Sequence, residues 1–360
     1  MNDRPRPPAM PAAPRRLRRG SGRVTLAEVA AVAGVSAQTV SRVLNSPENV
    51  PAATVSRVRA AVAQVRYVPN RLAGGLASGR SKLVAALVPT LGSPVFQETI
   101  ESLIRSLAAN GYQLMLGESG YDDADEVQLL ENLISRGPDG IVLTRVVQSA
   151  LARERLASCG IPVVETWDLS ADPVDMLIGF SHEQVGAGVA DLMIAHGIRH
   201  PALVTGDDPR ARRRQHGYAS RFVERGYLAS VSELPVAQVD APAPLGAGRR
   251  ALAQLIESGK AFDGVFCSTD MLALGVLMEA QARGLDVPRQ LGVVGFGDLV
   301  FAADTTPGLS TVRIDGRRMG ALAAELIMQR AQGRAVAQPV HDIGFELIVR
   351  GSLRGPTQKG

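Results

Sequence analysis

Apolar and polar positions change their rhythm twice along the chain. Between Val24 and Val65 the apolar residues recur at helical spacing. Leu26, Val29, Ala30 and Ala33 stand at i, i+3, i+4 and i+7 and predict a first helix. Thr25 and Glu28 can open it with a reciprocal capping box, and Gly34 can close it in a left-handed turn. Ser36 is placed to cap a second helix, Ala37 to Leu44, with Val40, Val43 and Leu44 inward and Gln38, Thr39, Ser41 and Arg42 outward. A third helix is predicted over about 52–65, with Val55, Val58, Val62 and Val65 inward and Arg57, Arg59 and Arg66 outward. Two short helices joined by a glycine turn, the second presenting a polar face, form a helix-turn-helix. Tyr67-Val68-Pro69-Asn70 breaks the third helix, since the residue before proline avoids helical angles, and a linker rich in Ala and Gly follows.

From Leu83 the pattern becomes apolar runs of four to seven residues alternating with amphipathic stretches of 12 to 18. That is the signature of parallel sheets covered by helices. Strands are predicted at 83–88, 112–117, 140–143, 162–165 and 176–180, then at 202–205, 234–238, 263–267, 291–296 and 309–313. Helices between them include 95–109, 125–136, 183–196, 213–225, 247–258, 270–283 and 315–332. Ten strands in two groups of about five predict an α/β body of two similar lobes, with a ligand cleft at the carboxyl ends of the strands. His341 to Val349 reads as one further strand returning to one lobe.

Composition adds a division of charge. The chain has 360 residues, 46% of them apolar and 21% charged, which excludes disorder of the whole. Residues 1–82 carry 14 Lys and Arg against three Asp and Glu, whereas residues 83–360 carry 25 against 32. A basic head on an acidic body points to nucleic-acid contact by the head. Residues 1–23 are an Arg/Pro-rich arm, expected to be disordered; its seven arginines either add salt-sensitive attraction to a polyanion or are a merely solvated leader. The arm lacks the apolar core of about 7–15 residues that a secretory signal carries, and no run approaches the roughly 18 residues of a membrane helix. The expectation is a cytoplasmic, nucleoid-associated protein with no membrane partner. Cys159 and Cys267 have no metal-ligand spacing and read as buried thiols.

Several motifs in order then become diagnostic. Val24-Thr25-Leu26-Ala27-Glu28-Val29-Ala30, Ala33-Gly34-Val35-Ser36, Thr39-Val40-Ser41-Arg42-Val43-Leu44-Asn45 and Tyr67-Val68-Pro69-Asn70 resemble the head of the LacI/GalR family. Asp139-Gly140-Ile141-Val142, Gly160-Ile161-Pro162, Gly217-Tyr218, Thr269-Asp270-Met271-Leu272 and Val293-Val294-Gly295-Phe296 continue the match, which spans roughly 24–350. The resemblance implies a homodimer or tetramer whose paired heads read pseudo-palindromic double-stranded operator DNA. Arg42 can address guanine and Gln38 adenine, each worth about 1–3 kcal/mol of discrimination. Thr25, Ser36, Thr39, Ser41, Asn45 and Tyr67 complete the expected DNA-facing set, largely through phosphate; Ala37 replaces the larger side chain common in relatives. In the family the linker folds as a minor-groove hinge helix. Here Leu76 matches the wedging leucine, with Asn70 and Ala73 beside it, and Gly74-Gly75 predicts a hinge unfolded off DNA.

For the body the resemblance implies a periplasmic-binding-like domain closing on a small sugar-like effector, and local matches look closest to gluconate-operon repressors. Arg214 stands where relatives commonly hold a ligand hydroxyl or carboxylate, a natural partner for a sugar acid. Arg210, Arg212 and Arg213 read more plainly as the solvated start of a helix. Phe96, at a helix start, can cover a sugar ring or pack in the core. Trp167, the only tryptophan, follows a strand end between Glu165 and Asp168, a cleft position. Thr269, Asp270 and Asp298 complete the candidate set; Thr269 and Gly297 replace the Asn and Asp usual in binders of neutral sugars, which favours an anionic effector. No catalytic residue, metal or cofactor is expected.

The expected organisation is an arm (1–23), head (24–69), hinge (70–82), two-lobed body (83–350) and tail (351–360). The rivals are a solute-binding protein and a sugar-processing enzyme on the same two-lobe fold. The first has no use for a basic head. The second would rest on Gly246-Ala247-Gly248-Arg249-Arg250-Ala251, which follows prolines rather than a strand, or on His196 and His200, which Gly197 keeps off one helical face. Non-specific chromatin binding, a third, predicts no response to small molecules.

Overall fold

The computed structural model describes residues 24–68, 80–120 and 126–356. The chain divides into two units, 1–79 and 80–360, described separately below. The arm (1–23), the hinge residues Asn70, Ala73, Gly74, Gly75 and Leu76, Tyr121 and the last four residues lie outside the described residues.

The head is three helices, α1 (Leu26–Ala33), α2 (Ala37–Asn45) and α3 (Ala52–Val65), with a 3₁₀ turn at Pro47–Asn49. The Thr25/Glu28 capping box forms: Glu28 N donates to Thr25 Oγ1 at 3.4 Å and Thr25 N to Glu28 Oε2 at 2.7 Å. Gly34 takes the left-handed conformation at φ 64°, and Ser36 Oγ accepts from Thr39 N at 3.1 Å to start α2. Val29, Ala30, Ala33, Val40, Val43, Val58 and Ala61 form the buried core, and Leu26, Val55, Val62, Val65 and Tyr67 pack around it half-buried. Caps at Thr25 and Ser36 satisfy the starts of α1 and α2 and so support this small core, while α3 opens after Pro51 without a side-chain cap.

The body has two parallel sheets. Lobe one carries β1 (Leu83–Val88), β2 (Gln113–Glu118), β3 (Gly140–Leu143), β4 (Val163–Thr166), β5 (Met176–Gly179) and β11 (Val340–Asp342), in the order β11-β5-β4-β3-β1-β2. Its helices are α4 (Gln97–Ala109), α5 (Glu126–Ile134), α6 (Ala150–Ser158) and, late in the chain, α11 (Gly316–Ala331). Both sheet faces are covered: Val84, Ala86, Val142 and Val164 point toward Leu103, Leu107 and Ile327, while Ala85, Leu87, Ile141, Leu143 and Val163 meet Leu130, Leu133 and Leu156. Such strands read as continuous apolar runs because neither face is wet.

Lobe two carries β6 (Pro201–Gly206), β7 (Val236–Val239), β8 (Gly264–Cys267) and β9 (Gly292–Val294) in the order β7-β6-β8-β9. Helices α7 (His182–Ala195) and α8 (Pro209–Glu224) pack together, as do α9 (Leu245–Glu257) and α10 (Asp270–Ala282). The crossover between lobes contains an antiparallel pair, β10 (Thr311–Arg313) with β12 (Glu346–Ile348).

Four expectations are corrected. The fifth strand of lobe two stands outside its four-stranded sheet: Thr311–Arg313 pairs antiparallel with Glu346–Ile348, and meets only the chain at and just beyond the end of β9, through the Val294–Ser310 bridge and backbone bonds linking Gly295 and Gly297 to Ser310 and Val312. The single strand expected over 341–349 is two: Gly344, left-handed at φ 65°, separates β11, which edges lobe one, from β12. The stretch after 350 is no loose tail at its start, since Ser352 and Leu353 are buried and Ser352 Oγ donates to Val293 O at 2.6 Å. Finally, α8 begins at Pro209 rather than near 213, because Asp208 Oδ1 accepts from the backbone of Arg210 and Ala211 and proline suits the first helical position.

Candidate functional site

On the head, α2 offers a continuous polar face. Gln38 and Arg42, one helical turn apart, are both exposed and make no hydrogen bond or ion pair among the described residues. Ala37 and Asn45 are exposed at the two ends, while Thr39 and Ser41 are half-buried. Several hydroxyls already serve the helix: Ser36 Oγ shares a hydrogen bond with Thr39 Oγ1 at 2.9 Å, and Asn45 Nδ2 donates to Ser41 Oγ at 3.3 Å. Thr25 is exposed beside the α1 N-terminus, and Tyr67 is half-buried against the head core. The guanidinium and amide thus stand free on a rigid helix, as readout of base edges requires.

In the body, a cavity of about 290 Å³ opens between the lobes. Its wall runs from Gly92, Ser93, Pro94 and Val95 of lobe one to Gly206, Asp208, Ala241–Leu245, Ser268, Thr269 and Met271 of lobe two, with Phe296 and Leu299 beside the crossover. Val95, Met271, Phe296, Leu299, the prolines and the alanines make much of the lining apolar. Hydroxyls of Ser93, Ser268 and Thr269 and the carboxylate of Asp208 supply its polarity, and Asp208 uses only Oδ1 to cap α8.

Arg214 lies behind this wall. Its guanidinium sits 4.3 Å over the Phe296 ring and donates from Nη2 to Ser268 O at 3.3 Å and from Nη1 to His182 Nδ1 at 2.8 Å. Nε has no partner, and the residue is only 5% exposed. Burial lowers its pKa to about 10, so it stays charged at neutral pH, yet no carboxylate pairs with it among the described residues. Burial first, then the Arg214 charge, pushes His182 well below the usual histidine range.

The early start of α8 changes the reading of the arginine run. With Pro209 as its first residue, Arg210, Arg213 and Arg214 fall on one face at i, i+3 and i+4, and Arg212 falls outside it. Arg212 is exposed and pairs with Asp207, as a solvated helix start would. Arg210 and Arg213 are not solvated bystanders: Arg210 Nη1 donates to Thr144 O at 2.9 Å and covers Phe96 at 5.2 Å, and Arg213 pairs with Asp168.

The other candidates separate into two groups. Phe96 and Trp167 are buried and meet edge to face at 5.1 Å, and Trp167 Nε1 donates to Thr99 Oγ1 at 3.2 Å. Gly179 makes room for their turn, since a Cβ there would stand 1.7 Å from the carbonyl oxygen of Asp168. Glu165, fully buried, instead ties two loops, accepting from Val147 N and Val174 N at 2.8 Å each, and burial raises its pKa. Asp270 accepts from Thr311 Oγ1 at 2.6 Å and Leu299 N at 2.7 Å. Asp298 pairs with Arg313 at 2.6 Å and Arg350 at 2.8 Å. These three carboxylates are engaged with protein groups, and of the expected effector residues only Thr269 lines the cavity itself. Sequence reasoning missed Asp208 and His182. Asp208-Pro209 carried a readable capping signal; His182, a lone histidine after a strand, carried none.

Comparison with known proteins agrees with both units. The profile of bacterial regulatory proteins of the lacI family matches residues 25–70, and that of the periplasmic binding protein-like domain matches 190–353. The HTH-type transcriptional regulator GntR of Pseudomonas aeruginosa is 35% identical over 335 residues, covering 93% of this chain and 97% of the relative. A LacI-family regulator from Silicibacter pomeroyi superposes with a TM-score of 0.84 at 30% identity, covering 92% of this chain and 100% of that one. The lac repressor dimer bound to operator and the anti-inducer ONPF superposes at 0.79 with 26% identity, covering 92% and 100%. Helix-turn-helix head, two-lobed body and full-length relatives lead to one conclusion: the chain belongs to the lacI family of bacterial regulatory proteins and is a DNA-binding transcriptional regulator, not an enzyme.

Proposed function

We propose that the protein is a repressor that binds a pseudo-palindromic operator as a homodimer, and that a gluconate-like sugar acid in the inter-lobe cleft modulates this binding. The observation that carries the effector reading is Arg214. A guanidinium buried to this depth ordinarily has a carboxylate beside it, because an isolated buried charge is costly. Here its partners are a neutral imidazole and a carbonyl, and Nε is unsatisfied. An anionic ligand in the adjoining cavity would supply the missing countercharge. The polar wall suits the rest of such a ligand: the free oxygen of Asp208 accepts from hydroxyls, and Ser268 and Thr269 can donate to them. Operator recognition is supported by the free Gln38 and Arg42 face, and the dimer by the operator-bound dimeric relative.

A gel shift on the promoter fragment nearest the gene tests the reading, titrated in parallel with gluconate, related sugar acids and neutral sugars. Sugar acids are expected to change the shift, release marking an inducer and tightening a corepressor. A response to neutral sugars with none to acids would defeat the Arg214 argument.

A further inference from the structure

We propose that Arg213 and Asp168 form a latch across the cleft that holds the two lobes together before any ligand binds. Arg213 is on α8, which follows the first strand of lobe two; Asp168 follows β4 of lobe one. Their ion pair therefore spans the cleft rather than bracing one lobe. One turn earlier on the same face, Arg210 reaches the same lobe, donating to the carbonyl of Thr144 beyond β3 and covering the Phe96 ring. Two side chains one turn apart on one helix thus grip lobe one at the ends of its strands.

The energetics suit a latch rather than a weld. Asp168 is 4% exposed, and its Oδ1 accepts from Leu169 N at 2.9 Å. Burial raises its pKa and Arg213 opposes that rise, so desolvation and attraction work against each other. Opening the cleft would return the buried Asp168 carboxylate to water, the Arg213 side chain being 43% exposed already, so attraction and desolvation offset each other. A small net difference is what a ligand with modest differential affinity can tip. Arg213 and Asp168 are accordingly positioning residues that set how much of the ligand-free protein is closed. The latch holds whichever small molecule the cleft takes, so a protein indifferent to sugar acids leaves it standing.

The chain supplies its own reporter. Trp167, its only tryptophan, precedes Asp168, is 2% exposed and packs between Phe96 and Phe180 at 5.1 and 5.9 Å. Acrylamide quenching of its fluorescence is measured on the full-length, ligand-free protein and on Arg213→Gln, Asp168→Asn and the double variant, each checked for native far-UV circular dichroism. Arg213→Gln alters nothing beside the indole in lobe one, so a local effect of Asp168 on the tryptophan would leave that variant like the parent. The latch predicts that Arg213→Gln raises the quenching constant about two-fold or more, and that the double variant goes no further than the larger single effect. Quenching of Arg213→Gln at the parent value, or strictly additive effects in the double variant, would overturn the proposal.

Discussion

Arg214 and His182 form a single hydrogen-bonded unit in which the imidazole is held neutral. Nη1 of Arg214 can only donate, so Nδ1 of His182 accepts, and the ring proton sits on Nε2, which donates to the carbonyl of Trp167 at 2.8 Å. A strand end of lobe one, the start of α7 and the middle of α8 are thereby joined through one ring. The arrangement leaves a permanent positive charge behind the cavity that feels Asp208 and Asp168 only at a distance and has no carboxylate in direct contact among the described residues.

Replacing that charge separates its binding role from any structural one. Arg214→Met removes a buried cation that no carboxylate contacts directly but strands the acceptor Nδ1 of His182, two effects of opposite sign and about 1–3 kcal/mol each. The thermal midpoint of the body is therefore expected to move little. Operator binding in gel shifts should persist while the response to sugar acids weakens ten-fold or more, about 1.4 kcal/mol. Full acid response by this variant would remove Arg214 from effector binding.

His182 gives stability a dependence on pH of defined sign. Its folded pKa lies well below 6.5, so in acid the unfolded chain takes up a proton that the folded one refuses. This contribution is complete above pH 6.5 and is lost as pH falls below it. His182→Asn keeps an acceptor for Arg214 and has no titrating ring. In urea unfolding it should be less stable than the parent at pH 7 by about 1–2 kcal/mol, and the gap should narrow toward pH 5. A gap that stays constant with pH would place the His182 pKa at its ordinary value.

Asp270 works in the opposite direction. Burial raises its pKa from 3.8 to about 6, against hydrogen bonds from Thr311 and Leu299. The folded state holds a proton that the unfolded one releases. The associated stability is present below pH 3.8 and is lost as pH rises through about 6, a span worth on the order of 3 kcal/mol. Asp270→Asn, which can still accept from Leu299 N, should flatten this part of the profile between pH 4 and 7. An unchanged slope in the variant would place the Asp270 pKa at its ordinary value.

The head makes a separable pair of predictions. Arg42→Ala should weaken operator binding about 10- to 100-fold, at 1–3 kcal/mol, and leave the melting of the head unchanged, since the side chain is exposed and makes no hydrogen bond or ion pair among the described residues. Ser36→Ala removes the acceptor for Thr39 N and should cost about 1 kcal/mol of head stability. If the two variants lowered stability alike in thermal melts, Arg42 would be a packing residue.

The head was legible in sequence because its determinants are local: Thr25, Glu28, Gly34 and Ser36 act within one turn of themselves, and helical spacing assigns Val29 and Val40 to the core. The parallel sheets were legible for a related reason, since strands covered on both faces must be apolar throughout. Partner choice was not. Thr311–Arg313 and Glu346–Ile348 have strand-forming residues, but only the crossing of the chain between lobes decides that they pair with each other. Glu165, Asp270 and Asp298 looked like cleft carboxylates, whereas the groups that engage them come from loops and strands up to 52 residues away. The arginine run shows the boundary most sharply. Sequence supplied the charges and even the Asp208-Pro209 start signal that sets their phase. That Arg213 reaches Asp168 while Arg214 lies behind the cavity with no carboxylate depends on where a second lobe ends its strands, and one-dimensional spacing carries no record of that.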